Sequence, residues 1–550
     1  MNVAKIKFIN LFFILYFLLG LLIYKDFGIG IEEHFQRQNG FYWLKEILIF
    51  LNFDNLAFLA AEKFQAIRLY DPDLPNSNFF NFYGIAFDVP VAFIELIFKI
   101  DDSKVYFELR HLINFIIFFI SSIFFYKIIK KRFNNETIAN LGTIFYIFNP
   151  RIFGDSFHNN KDVFFLSILT ISIYFLFNYF EKNNLKNLIL FCLFSAIATS
   201  SRIVGIYLPL LLIIFLFFEY LSNKITINDF IKKKLLILFF FILSLYLHYP
   251  YIWELNIFKF VEWFKVYFYN MDLRVFFDGK YYLMKHLPRL YLPKWILITT
   301  PNFILFLLIG GYFLLLKRFI CRILNINLIV QPFNDLWRSV NEKKDLFIFI
   351  SLTVFFFFAV LLNVALLSGW RHFYFLHIFI VYISIYLLNL ILIYCQRKKI
   401  NIFFFKLVNL IFVFFILNQI FVFHPFQSLY FNAWINDKNI MNFPVDTPSL
   451  SRSDAIKFIV SVNKNMGKLS IANASWTPLY NGKDLLNDQN KKKLVFVGQE
   501  YNKADYIYTN FNYDVDPKFN KKYNIPIEFK EIKKKLINGI PIYSIYERIK

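Results

Sequence analysis

The chain has 550 residues, 58% of them hydrophobic, and a mean hydropathy of +0.49. This composition excludes an ordinary soluble protein and indicates a polytopic membrane protein. The net charge of +22 does not call for a nucleic-acid partner, because the Lys and Arg residues lie mostly in short loops between apolar runs, as in the positive-inside pattern.

Apolar runs of membrane-spanning length recur along the chain. They cover residues 8–24, 112–129, 137–149, 163–180, 188–200, 203–221, 235–250, 296–316, 346–367, 373–395 and 402–423. The first run follows Lys5 and Lys7, and no small-residue cleavage site follows it, so we interpret it as a retained signal anchor. The sequence predicts an α-helical polytopic membrane protein with about eleven transmembrane helices.

Loop charge predicts the orientation of these helices. With the N-terminus in the cytoplasm, every inside loop is basic, as the positive-inside rule requires. Those loops carry Lys127, Lys130, Lys131, Arg132, Lys182, Lys186, Lys232, Lys233, Lys234, Lys317, Arg318, Arg322, Lys343, Lys344, Arg397, Lys398 and Lys399. The C-terminus then lies outside, together with a long first loop over residues 25–107 and the segments 150–162, 200–202, 249–295 and 368–372.

The character of the chain changes after about residue 440, where apolar runs give way to short strand-like stretches among Asn-, Lys- and Gly-rich turns. We predict a small α/β extracytoplasmic domain over residues 440–550, attached to a transmembrane module over residues 1–430. Cys192, Cys321 and Cys395 all lie before this region, so no disulfide framework is expected in it.

The stretch from Gly28 to Gly40 follows the first apolar run and is crowded with ionisable side chains. Glu32 and Glu33 would lie close to the membrane surface, where partial burial makes a carboxylate a better base. An ordinary solvated loop after a signal anchor explains the same residues. The functional interpretation is favoured because further charged residues fall on the same predicted side. They are Asp88, Arg110, His111, His158, Lys161, Asp162, Arg202, Arg371, His372 and His424.

Each of these residues also has a simple structural explanation. An Arg at a helix end often extends to lipid headgroups, Asp162 could cap a helix, and Asp88 could hold a turn. Together, however, they place carboxylates and cations around one face of a helix bundle. Moving a sugar from a polyprenyl phosphate needs a base for the acceptor hydroxyl and cations for the departing phosphate.

The order of these parts resembles the GT-C class of integral-membrane glycosyltransferases, especially the branch with protein O-mannosyltransferases and the aminoarabinose transferase. Glu32–Glu33 matches the acidic pair of that family's first outside loop, with Glu in place of the usual Asp. Asp162, in the segment His158–Asp162, resembles its second-loop acid. The segments Pro293–Pro301 and Gly369–Tyr374 resemble its later segments near the donor site. The resemblance covers roughly residues 1–430.

The resemblance implies a multi-pass enzyme of the bacterial inner membrane, with a periplasmic C-terminal domain. It would transfer a sugar, with inversion, from a polyprenyl-phosphate donor to an acceptor lipid, glycan or protein outside the cytoplasm. Its expected partners are the bilayer, this donor and this acceptor. The resemblance implies no cofactor. The sequence has no cluster of His, Cys and Asp residues at the spacing of metal ligands, so it does not support a divalent metal, although it is compatible with one.

Roles for the candidate residues follow from this implied reaction. We expect the acids Glu32, Asp88 and Asp162 to converge on one outward-facing cavity. Glu32 is expected to be the base, with its neighbour Glu33, Asp88 and Asp162 as the alternatives. Only one of two adjacent residues can face the cavity, so Glu33 is expected to pair with Arg37. The residues expected to bind substrate are His158, Lys161, Arg202, Arg371, His372 and His424, with Arg202, Arg371 and His372 on the donor phosphate.

Two other classes of protein compete with the enzyme. A transporter or flippase for lipid-linked sugars usually has internal repeats or ionisable residues near the middle of the bilayer, and neither feature is evident in the sequence. A scaffold for envelope assembly would leave the acid of the second outside loop and the Arg371–His372 pair unexplained.

Overall fold

The computed structural model describes residues 8–71, 74, 83–253, 258, 273–324, 336–362, 364, 366–367, 369–436, 439–463 and 467–549. Parts of three predicted outside loops therefore lie outside the described residues: 72–73 and 75–82 in the first, 254–257 and 259–272 in the fourth, and 368 in the fifth.

Helices make up most of the described chain. They are α1 (Phe8–Ile23), α2 (Glu33–Phe50), α3 (Asp54–Tyr70), α4 (Asp88–Ile97), α5 (Ser103–Phe133), α6 (Glu136–Ile147), α7 (Pro150–His158), α8 (Asp162–Lys182), α9 (Leu185–Ser201), α10 (Tyr207–Leu221), α11 (Ile227–His248), α12 (Tyr291–Thr299), α13 (Asn302–Leu324), α14 (Val340–Leu361), α15 (Leu376–Arg397), α16 (Ile402–Val422), α17 (Ser451–Val462) and α18 (Asp488–Lys493).

Every apolar run predicted from the sequence lies largely within one of these helices, with one exception. The run at 296–316 is divided between α12 and α13, because the chain leaves the helix at Thr300 and Pro301 before Asn302 starts the next one. Seven helices of the described chain are long and apolar enough to cross a membrane, and α1 and α9 are shorter apolar helices. The predicted polytopic helical membrane fold is confirmed, while the count of about eleven spans stays a prediction.

Helix α5 shows how the sequence places polar groups at one end of the bundle. The Asp102 side chain caps it by accepting from Lys104 N at 2.9 Å, and three cations fill its last turn. Its first turns carry the buried Glu108, Arg110 and His111. These buried side chains therefore lie at the end of the helix bundle where the first loop joins α5.

The opposite end of the bundle is held by one buried carboxylate. Asp345 on α14 is fully buried and accepts from Arg132 on α5 at 2.6 and 2.7 Å, from Arg318 on α13 at 2.9 Å and from the Tyr382 hydroxyl on α15 at 2.7 Å. Such a charge is tolerated inside a protein because several partners compensate it. This cluster ties four helices together on the predicted cytoplasmic side.

The first loop folds into a small helical cluster of its own. Helices α2, α3 and α4 bury a shared apolar face formed by Phe41, Leu44, Leu48, Ala57, Ala60, Ile67, Ala92 and Leu96. Gly40 permits close contact between α2 and α4, since a Cβ there would lie 2.5 Å from Asp88 O. The loop is thus a packed element.

The C-terminal region contains a five-stranded sheet in the order β4-β3-β5-β7-β6. Its strands are β3 (Leu469–Asn473), β4 (Leu494–Phe496), β5 (Tyr506–Thr509), β6 (Phe529–Ile537) and β7 (Ile540–Arg548). The strand β3 runs parallel to β4 and β5, while β7 is antiparallel to β5 and β6. A separate hairpin, β1 (Arg274–Phe277) with β2 (Lys280–Leu283), precedes α12. The predicted combination of a helical membrane protein with a small α/β region is confirmed.

Candidate active site

The turn between α1 and α2 carries Glu32 and is held by the C-terminal region. Ile31 N donates to Pro448 O at 3.1 Å, and the fully buried Arg452 donates through Nη2 to Ile29 O at 2.9 Å. Gly28 fits against the next part of the same segment, since a Cβ there would lie 2.1 Å from Leu450 O. The position of Glu32 therefore depends on residues more than 400 positions away.

Replacing Gly28 by Ala tests this contact. The added methyl group must displace the Leu450 carbonyl, so we expect the free energy of unfolding to fall by about 1–3 kcal/mol, as for overpacking. The measurement is the thermal unfolding midpoint of the purified protein. Gly467→Ala is the matched control, because no atom lies within 4 Å of a Cβ built at that glycine. Equal midpoints for the two variants would contradict the predicted contact.

The first of two neighbouring cavities contains both glutamates of the opening pair. Glu32, Glu33, Asp155, His158 and Arg371 are among its lining residues. The Glu32 carboxylate, 33% exposed, accepts a hydrogen bond from the guanidinium of Arg371, whose side chain is 14% exposed. This cavity thus holds an ion pair that a small polar ligand can reach.

Asp88 and Lys161 are among the residues that line the second cavity. Gln36 and Asn160 line both cavities, so the two spaces meet at these side chains. Asp88 accepts from Arg110 at 2.7 Å and from the Asn39 amide at 3.1 Å. Burial raises the pKa of Asp88 in spite of the nearby Arg110.

The third acid, Asp162, is the first residue of α8 and forms an ion pair with Arg202 at the end of α9. It lines neither cavity, but Arg371 and His372 lie within electrostatic reach of both Asp162 and Glu32. The structure therefore gathers Glu32, Asp162, Arg202, Arg371 and His372 into one cluster of charged and polar groups.

Cations control the protonation of this cluster. Burial by itself would raise the pKa of Glu32, but Arg371, Lys161 and Arg202 outweigh it and hold that pKa far below its ordinary value. Burial and then the charge of Arg202 lower the pKa of His372 to about 3, against an opposing effect of Asp162. Near neutral pH, Glu32 is ionised and His372 is an uncharged imidazole, able to donate an N–H but not a positive charge.

The comparison with known families bears on this cluster. Residues 89–249 match a family model described as dolichyl-phosphate-mannose-protein mannosyltransferase. Together with the apolar helices, this match supports a GT-C-like membrane glycosyltransferase. The matched segment includes His158, Lys161, Asp162 and Arg202 of the site. A comparison with curated proteins found no match for the chain.

Two expectations about the acids of this glycosyltransferase need correction. Glu33 does not pair with Arg37: its carboxylate turns back to accept from Gly30 N at 2.7 Å and meets His111 Nε2 at 3.2 Å, while Arg37 donates to Glu95 at 2.8 Å. The reason is that a tight turn, in which Glu33 N donates to Gly30 O at 3.2 Å, brings the Glu33 side chain over Gly30 N. Glu32 and Glu33 also both line the first cavity, although only one was expected to face it.

The expected single cavity is corrected as well. Glu32 and Asp88 lie in separate cavities that meet at Gln36 and Asn160, because these two polar side chains project between α2 and the α7–α8 connection. The predicted basicity of a partly buried carboxylate is wrong for Glu32 in the free protein, since the cations lower its pKa.

The predicted substrate-binding residues are divided between the cluster and its surroundings. His158 lines the first cavity, with its Nε2 3.4 Å from Asp155 Oδ1, and Lys161 lines the second, with its Nζ 3.5 Å from the centre of the Tyr83 ring. His424 lines neither cavity. Its Nε2 lies 2.9 Å from the Asp26 carboxylate.

Sequence reasoning missed several residues that shape the site. Gln36, Asp155 and Asn160 line the cavities, and Arg452 holds the turn before Glu32. Asp155 stood in the same charged segment as His158, which was a usable signal, but Arg452 had none because its partners are distant backbone carbonyls. Within the described chain, no group of three or more His, Cys, Asp or Glu residues is arranged to hold a metal ion.

Proposed function

We propose that this protein transfers a sugar from a polyprenyl-phosphate donor to an acceptor hydroxyl, with inversion at the anomeric carbon. Glu32 takes the hydroxyl proton as the acceptor oxygen bonds to that carbon. The bond from the carbon to the phosphate oxygen breaks, and its electron pair leaves with the polyprenyl phosphate. The observation that carries this proposal is the Glu32–Arg371 ion pair in the wall of a cavity, beside the Asp162–Arg202 pair.

The two arginines are suited to the departing phosphate. The guanidinium groups of Arg371 and Arg202 are planar, and their N–H donors match the oxygens of a phosphate. The side chains are only 14% and 15% exposed, so charge pairing with a phosphate is strong there. His372 can add one N–H donor in its neutral form. These groups act on charge that develops as the reaction proceeds, which is where stabilisation raises the rate.

Donor binding also prepares the base. In the free protein Arg371 is bonded to Glu32, which keeps the pKa of that carboxylate low. A phosphate that takes up the Arg371 donors brings a negative charge near Glu32 and weakens this pairing. The pKa of Glu32 then rises, so the carboxylate becomes a stronger base when the donor is in place.

This coupling predicts the pH dependence of transfer. Glu32 must be ionised to accept a proton, so activity is lost as pH falls through its pKa. The pH profile of kcat/KM reports the free enzyme, so we expect its acid limb below the ordinary Glu pKa of about 4.5. The pH profile of kcat reports the donor complex, so we expect its acid limb at a higher pH. Rates measured across pH with purified protein check this. Acid limbs at the same pH in both parameters would contradict it.

An apolar groove offers a place for the isoprenoid chain of the donor. It is lined mainly by apolar residues of α12, α13, α14 and α15, including Ile296, Leu308 and Phe356. Helix α12 connects it to the charged cluster, because Trp295 on that helix contacts Gly369, two residues before Arg371. We propose that the chain lies in this groove while its phosphate meets Arg371.

The proposed reaction also fixes an orientation. We propose that residues 1–430 form the transferase module and residues 440–550 an extracytoplasmic domain, with the N-terminus inside and the site at the periplasmic face of a bacterial inner membrane. The basic inside loops support this arrangement. A reporter fused to the C-terminus checks it, because the proposal requires activity from a periplasmic reporter and none from a cytoplasmic one.

Reconstitution tests the transfer reaction itself. Purified protein in lipid vesicles is given polyprenyl-phosphate hexoses, mannose included, and release of free polyprenyl phosphate is measured with cell-envelope extract as the source of acceptor. We expect release that depends on both donor and extract. Movement of intact donor across the bilayer without cleavage would favour the flippase and contradict the proposal.

A further inference from the structure

A third cavity lies between the C-terminal sheet and the first loop. Its lining includes Asn473 at the end of β3, Gly498 and Gln499 after β4, and Asp71 and Leu74 of the first loop. In the strand order β4-β3-β5, the chain leaves β3 for one neighbour and returns to the other. Ligands of open α/β sheets bind outside the carboxyl ends of the strands at such a switch point.

Aromatic and amide side chains dominate the polar part of this cleft. Trp476 is 46% exposed, and its backbone N–H is fixed by a 2.8 Å bond to Asn512 O. The Tyr480 hydroxyl donates to Asp71 at 2.6 Å, which joins the two walls. Asn473 and Gln499 add amide groups at the carboxyl edge of the sheet. An aromatic face beside amides and a carboxylate can stack on a sugar ring and bond its hydroxyls.

Two side-chain amide oxygens of residues in the cleft wall accept no hydrogen bond from the described residues. Asn473 Nδ2 bonds the carbonyls of Ser475 at 3.1 Å and Thr477 at 2.7 Å, which leaves its Oδ1 with no partner among the described residues. Asn481, only 3% exposed, reaches Asp71 through Nδ2 at 3.4 Å, and its Oδ1 is likewise without a partner there. Buried amide oxygens normally accept a hydrogen bond, and these two are shielded from solvent. A ligand hydroxyl can supply the bond once the amides turn toward the cleft.

The charge of the cleft selects a neutral ligand. No Lys, Arg or His is among the described residues that line it, in a chain with a net charge of +22. Two cations approach the wall from behind. Arg452 donates to Pro478 O at 2.6 Å but is fully buried, and Lys483 Nζ lies 5.7 Å from the centre of the Phe496 ring. A phosphate or nucleotide needs cations to compensate its negative charge, and none lines the described part of the cleft. A neutral sugar needs no such cation.

We propose that this cleft binds a neutral pyranose residue of a glycan, stacked on Trp476. Ile31 lines both this cleft and the cavity of Glu32, so the two sites adjoin. A glycan held in the cleft can present a hydroxyl to Glu32, which identifies the acceptor as a glycan chain. The acceptor part of this inference rests on the proposed transfer reaction, whereas sugar binding at the cleft does not.

Binding of trisaccharides to the full-length protein in lipid nanodiscs tests the cleft. Mannotriose, maltotriose and cellotriose are the probes. Their binding is measured by saturation-transfer NMR and by the change in tryptophan fluorescence. We expect binding of at least one probe, weakened about three- to tenfold by Trp476→Ala, the range expected for loss of one stacking contact. Gln499→Ala, at an exposed position, is expected to weaken it as well.

Matched variants separate this site from the catalytic one. Trp434→Ala removes another exposed tryptophan, one that does not line the cleft, and is expected to leave binding unchanged. Glu32→Gln is expected to bind trisaccharide like the wild type even if transfer is lost. Absence of binding by all three probes, or equal binding by the Trp476 and Trp434 variants, overturns the proposal. Inorganic phosphate that competes with the bound probe overturns it too, because it shows an anion site.

Discussion

Glu32→Gln lowers the rate of sugar transfer by about 10²- to 10⁴-fold, the effect expected for removal of a general base. The amide occupies the same space as the carboxylate but cannot accept the acceptor proton. Donor affinity is retained or improved, because the amide at position 32 carries no charge and competes less strongly than the carboxylate for the Arg371 donors. Single-turnover rates and separate measurements of donor binding distinguish the two effects.

Glu33→Gln is the matched comparison for this result. Its side-chain oxygen can still accept from Gly30 N, so the turn before α2 is preserved while the charge facing His111 is lost. We expect a loss of rate well below that of Glu32→Gln. Equal losses in both variants would contradict the assignment of Glu32. A large loss in Glu33→Gln alone would make Glu33 the base, and near-normal rates in both variants would move the base to Asp88 or Asp162.

The sequence could suggest which acids and cations belong to a candidate site, but not their partners. Hydropathy and loop charge are local properties, so they could place Glu32, Asp162, Arg202 and Arg371 on one side of the membrane. Pairings depend on how distant segments pack. Glu33 took His111 and Gly30 as partners, and the low pKa of His372 follows from burial and from Arg202, neither of which the sequence displays.

The same distinction explains the results for the fold. Long apolar runs predicted helices well because a membrane requires them. The strand β6 was not predicted, because Lys530, Lys533, Lys534 and Lys535 hide its alternation, although such lysines are usual on an edge strand. The contacts of residues 448–452 with the turn before Glu32 could not be predicted. They are made mainly by backbone groups of two segments that lie more than 400 residues apart in the sequence.

Arg371→Ala weakens donor binding by about 2–5 kcal/mol, as expected when one partner of a buried charge pair is removed. The loss has two sources. The donor phosphate loses a guanidinium that is largely buried, and Glu32 loses the cation that compensates its charge most strongly. Without Arg371, burial raises the pKa of Glu32, and the variant should therefore lose activity at a higher pH than the wild type.

Three variants separate a direct role of Arg371 from a structural one. Arg371→Lys keeps the charge but not the planar pair of donors, so its donor affinity should lie between those of the wild type and Arg371→Ala. Arg289→Ala, at an exposed arginine on the predicted outer side, is the control and should bind donor normally. In Glu32→Gln/Arg371→Ala no uncompensated carboxylate remains, so thermal stability should recover relative to Arg371→Ala while donor affinity stays low. Recovery of both would show that Arg371 serves only to balance Glu32, and unchanged donor affinity in Arg371→Ala would remove it from the phosphate site.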